Sequence, residues 1–210
     1  MPMKSGFFVF FRLLKRTFFN TRNTQARLTP KRLLIMVLFL PVFFVVQVIH
    51  WIGFFLDDIF FRAYRKVQIK EPVFIVGVPR SGTTFLHNVL SKDTERYTTF
   101  RLWELLLAPS VTQRMFWIGL GKLDRLIGGP FARLIGWIER VAFRNLESIH
   151  RISLSSPEED YFVLVPIFAC LILILPFPFP DELGHLASLD DRTPEADRKR
   201  IMAFYKRALQ

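Results

Sequence analysis

The stretch from Glu71 to Asp93 constrains the fold most, because it reads as a strand, a glycine-containing loop and a helix in direct succession. Residues 73–76 form a short apolar run rich in β-branched side chains, the pattern of a strand buried on both faces. From Thr83 onward the apolar residues recur at helical spacing. A loop of this kind turns backbone N–H groups towards an anion at the helix N-terminus. The alternative is an ordinary turn in which the glycines only permit tight geometry.

The loop has the glycine spacing of a Walker nucleotide-binding loop but not its lysine. Four residues separate Gly77 from Gly82, and Thr83 stands where the Walker lysine would be. The cation of the loop is Arg80, which can make forked, charge-assisted contacts to a terminal sulfate or phosphate. The loop therefore favours an anionic nucleotide other than the nucleoside triphosphate of a Walker loop. The alternative function is a P-loop nucleotide kinase or ATPase.

Residues 79–86, Pro-Arg-Ser-Gly-Thr-Thr-Phe-Leu, closely resemble the 5′-phosphosulfate loop of the sulfotransferase family, whose donor is 3′-phosphoadenylyl sulfate (PAPS). The membrane-associated, bacterial-type branch commonly has arginine at the position of Arg80, where many members have lysine. Two further segments resemble that branch. They are Trp103-Glu104 with Pro109, and His150 followed after six residues by Pro157-Glu158-Glu159.

The resemblance implies a binding site for PAPS as co-substrate, without a metal. Its cofactor-binding residues would be Pro79, Arg80, Ser81, Gly82, Thr83 and Thr84. Arg80 would also neutralise charge on the bridging oxygen during transfer. Sulfuryl transfer needs a base near the acceptor hydroxyl or amine. His150 is the first candidate, and Glu158 or Glu159 the second. Alternatively, Ser156 and the acids after it only start a helix.

The resemblance also implies an α/β fold with a P-loop-type parallel sheet flanked by helices. Residues 97–100 would form its second strand. The similarity covers roughly residues 60–210, and the family's next elements, which hold the 3′-phosphate, do not follow Gln210. We therefore expect an incomplete sheet and only the N-terminal part of the domain. The chain is then either a fragment or a truncated, non-catalytic membrane protein.

The positive charge is concentrated at the N-terminus. Residues 1–32 hold eight of the Lys and Arg side chains and no acid, against a net charge of +11 for the chain, so only +3 remains elsewhere. This distribution argues against a folded surface for nucleic acid. Residues 6–19 carry phenylalanine and leucine side chains interrupted by Arg12, Lys15 and Arg16, which predicts an amphipathic helix at a bilayer interface with anionic lipid. A disordered basic tail is the alternative. We expect the side chain of the single cysteine, Cys170, to pack in the core.

Residues 33–56 form 24 consecutive uncharged positions, enough to cross a bilayer core of about 20 residues. Pro41 allows a re-entrant segment as well as a span, and a buried soluble helix is the alternative. The sequence thus predicts a basic amphipathic tail at 1–32, a hydrophobic membrane segment at 33–62 and a sulfotransferase portion at 63–210. We therefore expect a membrane-associated protein. The positive-inside rule alone does not fix which side of the membrane carries the catalytic loop.

Two later segments complete the prediction. Residues 115–143 read as amphipathic helix broken near Gly128-Gly129-Pro130, with a basic face. Such helices line an acceptor pocket, lie on a membrane or pack on the sheet. Residues 161–180 are uncharged and contain four prolines, and we expect a buried or membrane-facing helix from about Pro157 to Leu175. A last helix begins near Glu195. The expected partners are membrane lipid, the nucleotide sulfate donor and a small-molecule, lipid or glycan acceptor, with no nucleic acid.

Overall fold

The computed structural model describes residues 2–19, 21, 26–78, 81–143 and 153–210. Within them the chain is mainly helical and divides into two units, Met1–Val67 with Tyr161–Gln210 and Gln68–Asp160. The predicted domain boundaries at residues 32 and 62 rest on composition, whereas the two units are defined by backbone contacts. These boundaries therefore stay a prediction. The α-helices in chain order are α1 (Pro2–Phe19), α2 (Pro30–Phe60), α3 (Thr83–Leu90), α4 (Leu102–Leu107), α5 (Val111–Leu126), α6 (Pro130–Phe143), α7 (Pro180–Leu183), α8 (Leu189–Arg192) and α9 (Glu195–Leu209).

The predicted parallel α/β sheet is wrong. Across the described part of the chain, β pairing is limited to one isolated antiparallel bridge, between Arg101 and Pro157. Residues 73–76 form no strand, and the side chains of Val73, Phe74 and Val76 are 57%, 68% and 87% exposed. A parallel strand needs backbone partners on a neighbouring strand. Residues 97–100 form no strand either, so this apolar run has no sheet to enter.

The long helix α2 starts at a regular N-cap. Thr29 accepts a hydrogen bond from the backbone N–H of Arg32 at 3.3 Å, and Pro30 occupies the first turn, where its missing N–H costs nothing. The helix then runs for 31 residues through Pro41. A 3₁₀ turn at Arg62–Lys66 follows it.

The predicted helix from Pro157 to Leu175 is wrong, although its burial is confirmed. The backbone forms two separate 3₁₀ segments, Asp160–Ile167 and Leu171–Ile174. Pro166 lies in the first of them and has no N–H for a helical hydrogen bond. Cys170 is 1% exposed, as core packing requires. The predicted last helix is confirmed as α9, which buries Ile201 and Phe204.

The first unit is held together by aromatic packing between its N-terminal helices and residues 161–180, which we call the proline-rich segment. The ring of Phe10 on α1 stacks on Phe44 of α2 with centroids 5.6 Å apart, and it also contacts Phe168 at 5.4 Å. The indole N–H of Trp51 donates to the carbonyl of Pro166 at 2.8 Å. The helical prediction for residues 6–19 is thus confirmed, and α1 contributes its buried side to this core.

The buried side of α2 includes polar side chains as well as apolar ones, and its outer side is apolar. Gln47, His50 and Asp57 are only 2%, 4% and 4% exposed. The opposite side exposes a continuous apolar row of Leu34, Leu38, Val42, Val45, Ile49 and Ile52. Among the described residues, α2 is the one helix long and apolar enough to cross a membrane by length and composition.

Ion pairs connect α1 to α7. The guanidinium of Arg16 contacts Asp181 and lies 3.3 Å from a carboxylate oxygen of Glu182. It also lies over the ring of Phe179 at 4.8 Å. The hydrogen bond from Arg16 lowers the pKa of Asp181 from its ordinary value. Because the Asp181 side chain is largely exposed, solvent screening keeps the energetic effect small.

This ion pair predicts a pH dependence. A lowered folded-state pKa stabilises the fold above the unfolded pKa of about 4, and the contribution is lost as the pH falls through the folded value. We expect Asp181→Asn to flatten the loss of thermal stability below about pH 4, measured by circular dichroism. Asp190→Asn, at a side chain that is 93% exposed, is the control. An Asp181→Asn curve parallel to that of the wild type would contradict the prediction.

In the second unit, α5 and α6 form a helical hairpin. The side chain of Ser110 caps α5 by accepting from the N–H of Gln113 at 3.2 Å. The carboxylate of Asp124 caps α6, accepting from the N–H groups of Phe131 and Ala132 at 2.8 and 2.9 Å. Gly128 and Gly129, with φ of 87° and 73°, form the turn between the helices. The predicted break near residues 128–130 is therefore confirmed.

Candidate functional site

The predicted phosphate loop ends in a left-handed residue that starts α3. Gly82 has φ of 87°, a conformation that glycine adopts without steric cost, and its carbonyl accepts from the N–H of Leu86 at 3.0 Å. One residue earlier, the N–H of Ser81 donates to the carbonyl of Val78 at 3.2 Å. The predicted start of the helix at Thr83 is confirmed.

A close approach inside the loop explains Gly77. A Cβ atom at this position would lie 2.6 Å from Oγ of Ser81 and 2.9 Å from Cγ2 of Thr83. Real Cβ atoms do not approach other heavy atoms so closely. The absence of a side chain at Gly77 therefore lets Ser81 and Thr83 fold back over the start of the loop.

The N-terminus of α3 presents donors without a competing side-chain acceptor of its own. Gly82 supplies no capping side chain, and no acidic residue lies in the first turn. The first N–H groups of a helix have no intrahelical acceptor, and the dipole there favours an anion. Ser81, Gly82 and Thr84 are exposed and Thr83 is half-buried. Pro79 and Arg80, the other predicted residues of the site, lie outside the described residues.

The described parts of the two other predicted motifs lie side by side. The N–H of Leu102 donates to the backbone carbonyl of Ser156 at 3.1 Å, and the N–H of Trp103 donates to that of Leu154 at 2.9 Å. The backbone N–H of Glu158 donates to the carbonyl of Phe100 at 2.9 Å. Segment 153–158 therefore runs antiparallel to residues 100–103. Pro157 takes part in this pairing, so the alternative of a helix starting at Ser156 is wrong.

Glu104 of the tryptophan motif has a structural position. It is 5% exposed, and its carboxylate accepts from the backbone N–H of Arg101 at 2.8 Å. The other oxygen pairs with the guanidinium of Arg114, also at 2.8 Å. Both oxygens are thus occupied in fixing the start of α4 and tying it to α5.

The candidate bases differ in their surroundings. Glu158 is half-buried, and its carboxylate accepts from the N–H of Glu159 at 3.1 Å. Glu159 is exposed. His150 lies outside the described residues, so its role stays a prediction. The structure brings Glu158 beside the tryptophan motif through the pairing of its backbone with Phe100.

The sequence analysis missed His87, a titratable side chain on α3. Its Nε2 lies 2.7 Å from Oγ1 of Thr99, a contact that fixes the orientation of the half-buried ring. His87 is four residues after Thr83 and so projects from the same side of the helix, one turn further on. That spacing was the signal available in the sequence.

The hairpin is anchored to the segment that carries Glu158. The carboxylate of Glu139 on α6 accepts from the backbone N–H of Leu154 at 2.8 Å. Leu154 in turn accepts from Trp103. One carboxylate therefore connects α6 to the paired backbone segments.

Comparison with known proteins identifies this part of the chain. Residues 72–173 match the sequence model of the Sulfotransferase family. The chain carries a sulfotransferase-family segment. The predicted resemblance is confirmed, over a shorter stretch than residues 60–210. This sulfotransferase segment contains the loop before α3, Trp103 and the three candidate bases. No curated protein and no solved structure matches the chain significantly.

The contact at Gly77 gives a prediction for the sulfotransferase loop. In Gly77→Ala the new methyl group must displace Ser81 and Thr83. We expect at least tenfold weaker binding of adenosine 3′,5′-bisphosphate, the desulfated form of the predicted sulfate donor, by isothermal titration calorimetry. Backbone N–H groups that lose their alignment lose much of a charge-assisted hydrogen bond. The matched control is Gly119→Ala in α5, where an added Cβ meets nothing within 4 Å. Equal affinities in the two variants would contradict the prediction.

Proposed function

We propose that this chain is a membrane-associated sulfotransferase that moves the sulfuryl group of PAPS to a hydroxyl or amine. The family match supports sulfuryl transfer. The observation that supports the choice of donor is the start of α3, where Gly77 leaves room for Ser81 and Thr83 and the left-handed Gly82 leaves the first N–H groups without a side-chain cap.

In this proposal the loop holds the 5′-phosphosulfate. The N–H of Ser81 already donates to Val78, so the backbone donors of Gly82, Thr83 and Thr84 supply the hydrogen bonds. Arg80 adds a forked, charge-assisted contact, and Pro79 begins the loop. As the bond between sulfur and the bridging oxygen breaks, negative charge grows on that oxygen and the same donors stabilise it. Adenosine 3′,5′-bisphosphate leaves with the electron pair.

The acceptor side needs a base. The acceptor oxygen or nitrogen forms the new bond to sulfur and gives its proton to the base. We propose His150 for this role, with Glu158 as the second choice. Glu158 is favoured over Glu159 because it is half-buried and lies on the segment paired with residues 100–103. A proton acceptor on fixed backbone keeps its position while the acceptor binds.

Membrane attachment is supported by the apolar outer row of α2. A helix with an apolar outer side suits a lipid environment better than water, because burying the outer row needs no protein partner there. A lipid or glycan acceptor that reaches the enzyme from the membrane surface fits this placement.

A second candidate function is binding of the donor without transfer. It is favoured by residues 73–76, which lack strand partners among the described residues and of which Val73, Phe74 and Val76 are exposed. A nucleotide loop that is not fixed at a sheet edge is less well preorganised for stabilising charge.

The test uses the full chain in lipid vesicles with sulfur-labelled PAPS and a lipid extract. Labelled product supports the sulfotransferase. Binding of adenosine 3′,5′-bisphosphate by calorimetry without product supports the second candidate. Binding of ATP with magnesium, without binding of adenosine 3′,5′-bisphosphate, overturns both in favour of a Walker-type nucleotide enzyme.

A further inference from the structure

The hairpin of α5 and α6 turns a large apolar surface outward. We define its outer face by six of the large apolar side chains that the hairpin exposes, each of them 50–82% exposed. They are Leu123, Leu126, Ile127, Phe131, Leu134 and Trp137. Their helical spacing places three of them on one side of each helix, and grouped apolar side chains at such exposure mark an interaction surface.

The charges on the hairpin are separated by sign. Residues 111–143 contain two acids, and the carboxylates of both accept hydrogen bonds from backbone N–H groups. Asp124 is 4% exposed and caps α6, while Glu139 accepts from Leu154. The basic side chains of the hairpin are exposed. They are Arg114, Lys122, Arg125, Arg133 and Arg140. The surface that surrounds the outer face therefore carries cations without exposed carboxylates.

We propose that the outer face of this hairpin inserts into the interface of an anionic lipid bilayer. The helices have 16 and 14 residues, about 24 and 21 Å in length, which is too short to span a bilayer and suits a helix lying in its plane. Apolar and aromatic side chains enter the acyl boundary, where an indole is favoured, and cations contact the headgroups.

The charges around the outer face decide whether lipid or a second copy of the chain covers it. Two copies joined through this face would bring Lys122, Arg125 and Arg133 near the same cations of the partner. An anionic membrane surface instead attracts each of them. The proposal concerns a surface separate from the donor loop and does not depend on PAPS binding.

The experiment places a fluorescent label on the outer face of the full chain. Leu126→Cys carries a nitrobenzoxadiazole group, and Asn88→Cys, at an exposed position on α3, is the matched control. Cys170 is kept, because it is 1% exposed, and the unmodified chain serves as the labelling blank. The vesicles contain phosphatidylcholine alone or mixed with phosphatidylglycerol, each with a spin-labelled quencher lipid.

We expect the label at position 126 to be quenched by the anionic vesicles several-fold more strongly than the label at position 88. Lys122→Glu with Arg140→Glu should reduce this quenching at least fivefold, since one cation near an anionic surface changes partitioning by about fivefold. Arg96→Glu, outside the hairpin, should leave it unchanged. Circular dichroism verifies that each variant is folded.

Two results would overturn the proposal. One is equal access of aqueous iodide to both labels in anionic vesicles. The other is protection of position 126 without vesicles that increases with protein concentration, which would assign the face to a second copy. A label at Leu134→Cys repeats the measurement from α6, so that neither conclusion rests on one variant.

Discussion

Replacing Arg80 with alanine should lower sulfuryl transfer at least hundredfold and weaken binding of adenosine 3′,5′-bisphosphate about tenfold. The larger effect on transfer is expected because charge on the bridging oxygen grows in the transition state, where a guanidinium contributes most. The measurement pairs turnover of sulfur-labelled PAPS with calorimetric titration of the desulfated nucleotide.

Arg96→Ala is the matched control for this prediction, since it removes the same charge from an exposed side chain just beyond α3. Arg80→Lys should keep part of the activity, because lysine supplies the charge but not the fork. If Arg80→Ala and Arg96→Ala have equal turnover, the loop does not hold the phosphosulfate and the proposed donor site is wrong.

Phe177→Ala should destabilise the first unit by about 3–5 kcal/mol, the usual cost of removing a fully buried phenylalanine. The side chain is 0% exposed and its ring lies 6.3 Å from that of Phe43 on α2. Its loss leaves a cavity between α2 and the proline-rich segment. The midpoint of thermal unfolding, followed by circular dichroism in detergent micelles, measures the effect.

Phe19→Ala makes the same truncation at a side chain that is 79% exposed, and it should change stability by no more than about 0.5 kcal/mol. A similar loss in both variants would show that aromatic burial against the proline-rich segment does not stabilise this unit.

The sequence predicted those elements whose signals are local. Gly82 before Thr83, the pair Gly128-Gly129 and Pro194 before Glu195 each mark a helix boundary within one turn of chain, and the structure has α3, α6 and α9 there. The sheet failed because β-branched residues at 73–76 report a preference for extended backbone, whereas a strand also needs distant partners. The described chain has none beside them.

The candidate site was predicted in the same way. The loop motif is a continuous stretch and was found, and the family match confirms the resemblance. The pairing of Trp103 with Leu154 connects residues far apart in sequence, so no local pattern indicates it. For Pro157, local capping preferences favoured a helix, and backbone pairing with Arg101 prevailed.

The hydrogen bond from Trp51 to Pro166 joins residues 115 positions apart. During synthesis the ribosome completes α2 long before it makes the proline-rich segment that covers Trp51. The first unit therefore cannot close until most of the chain has emerged, and such distant contacts form slowly. Until then the nascent helix needs lipid or a chaperone to shield its aromatic side chains from aggregation.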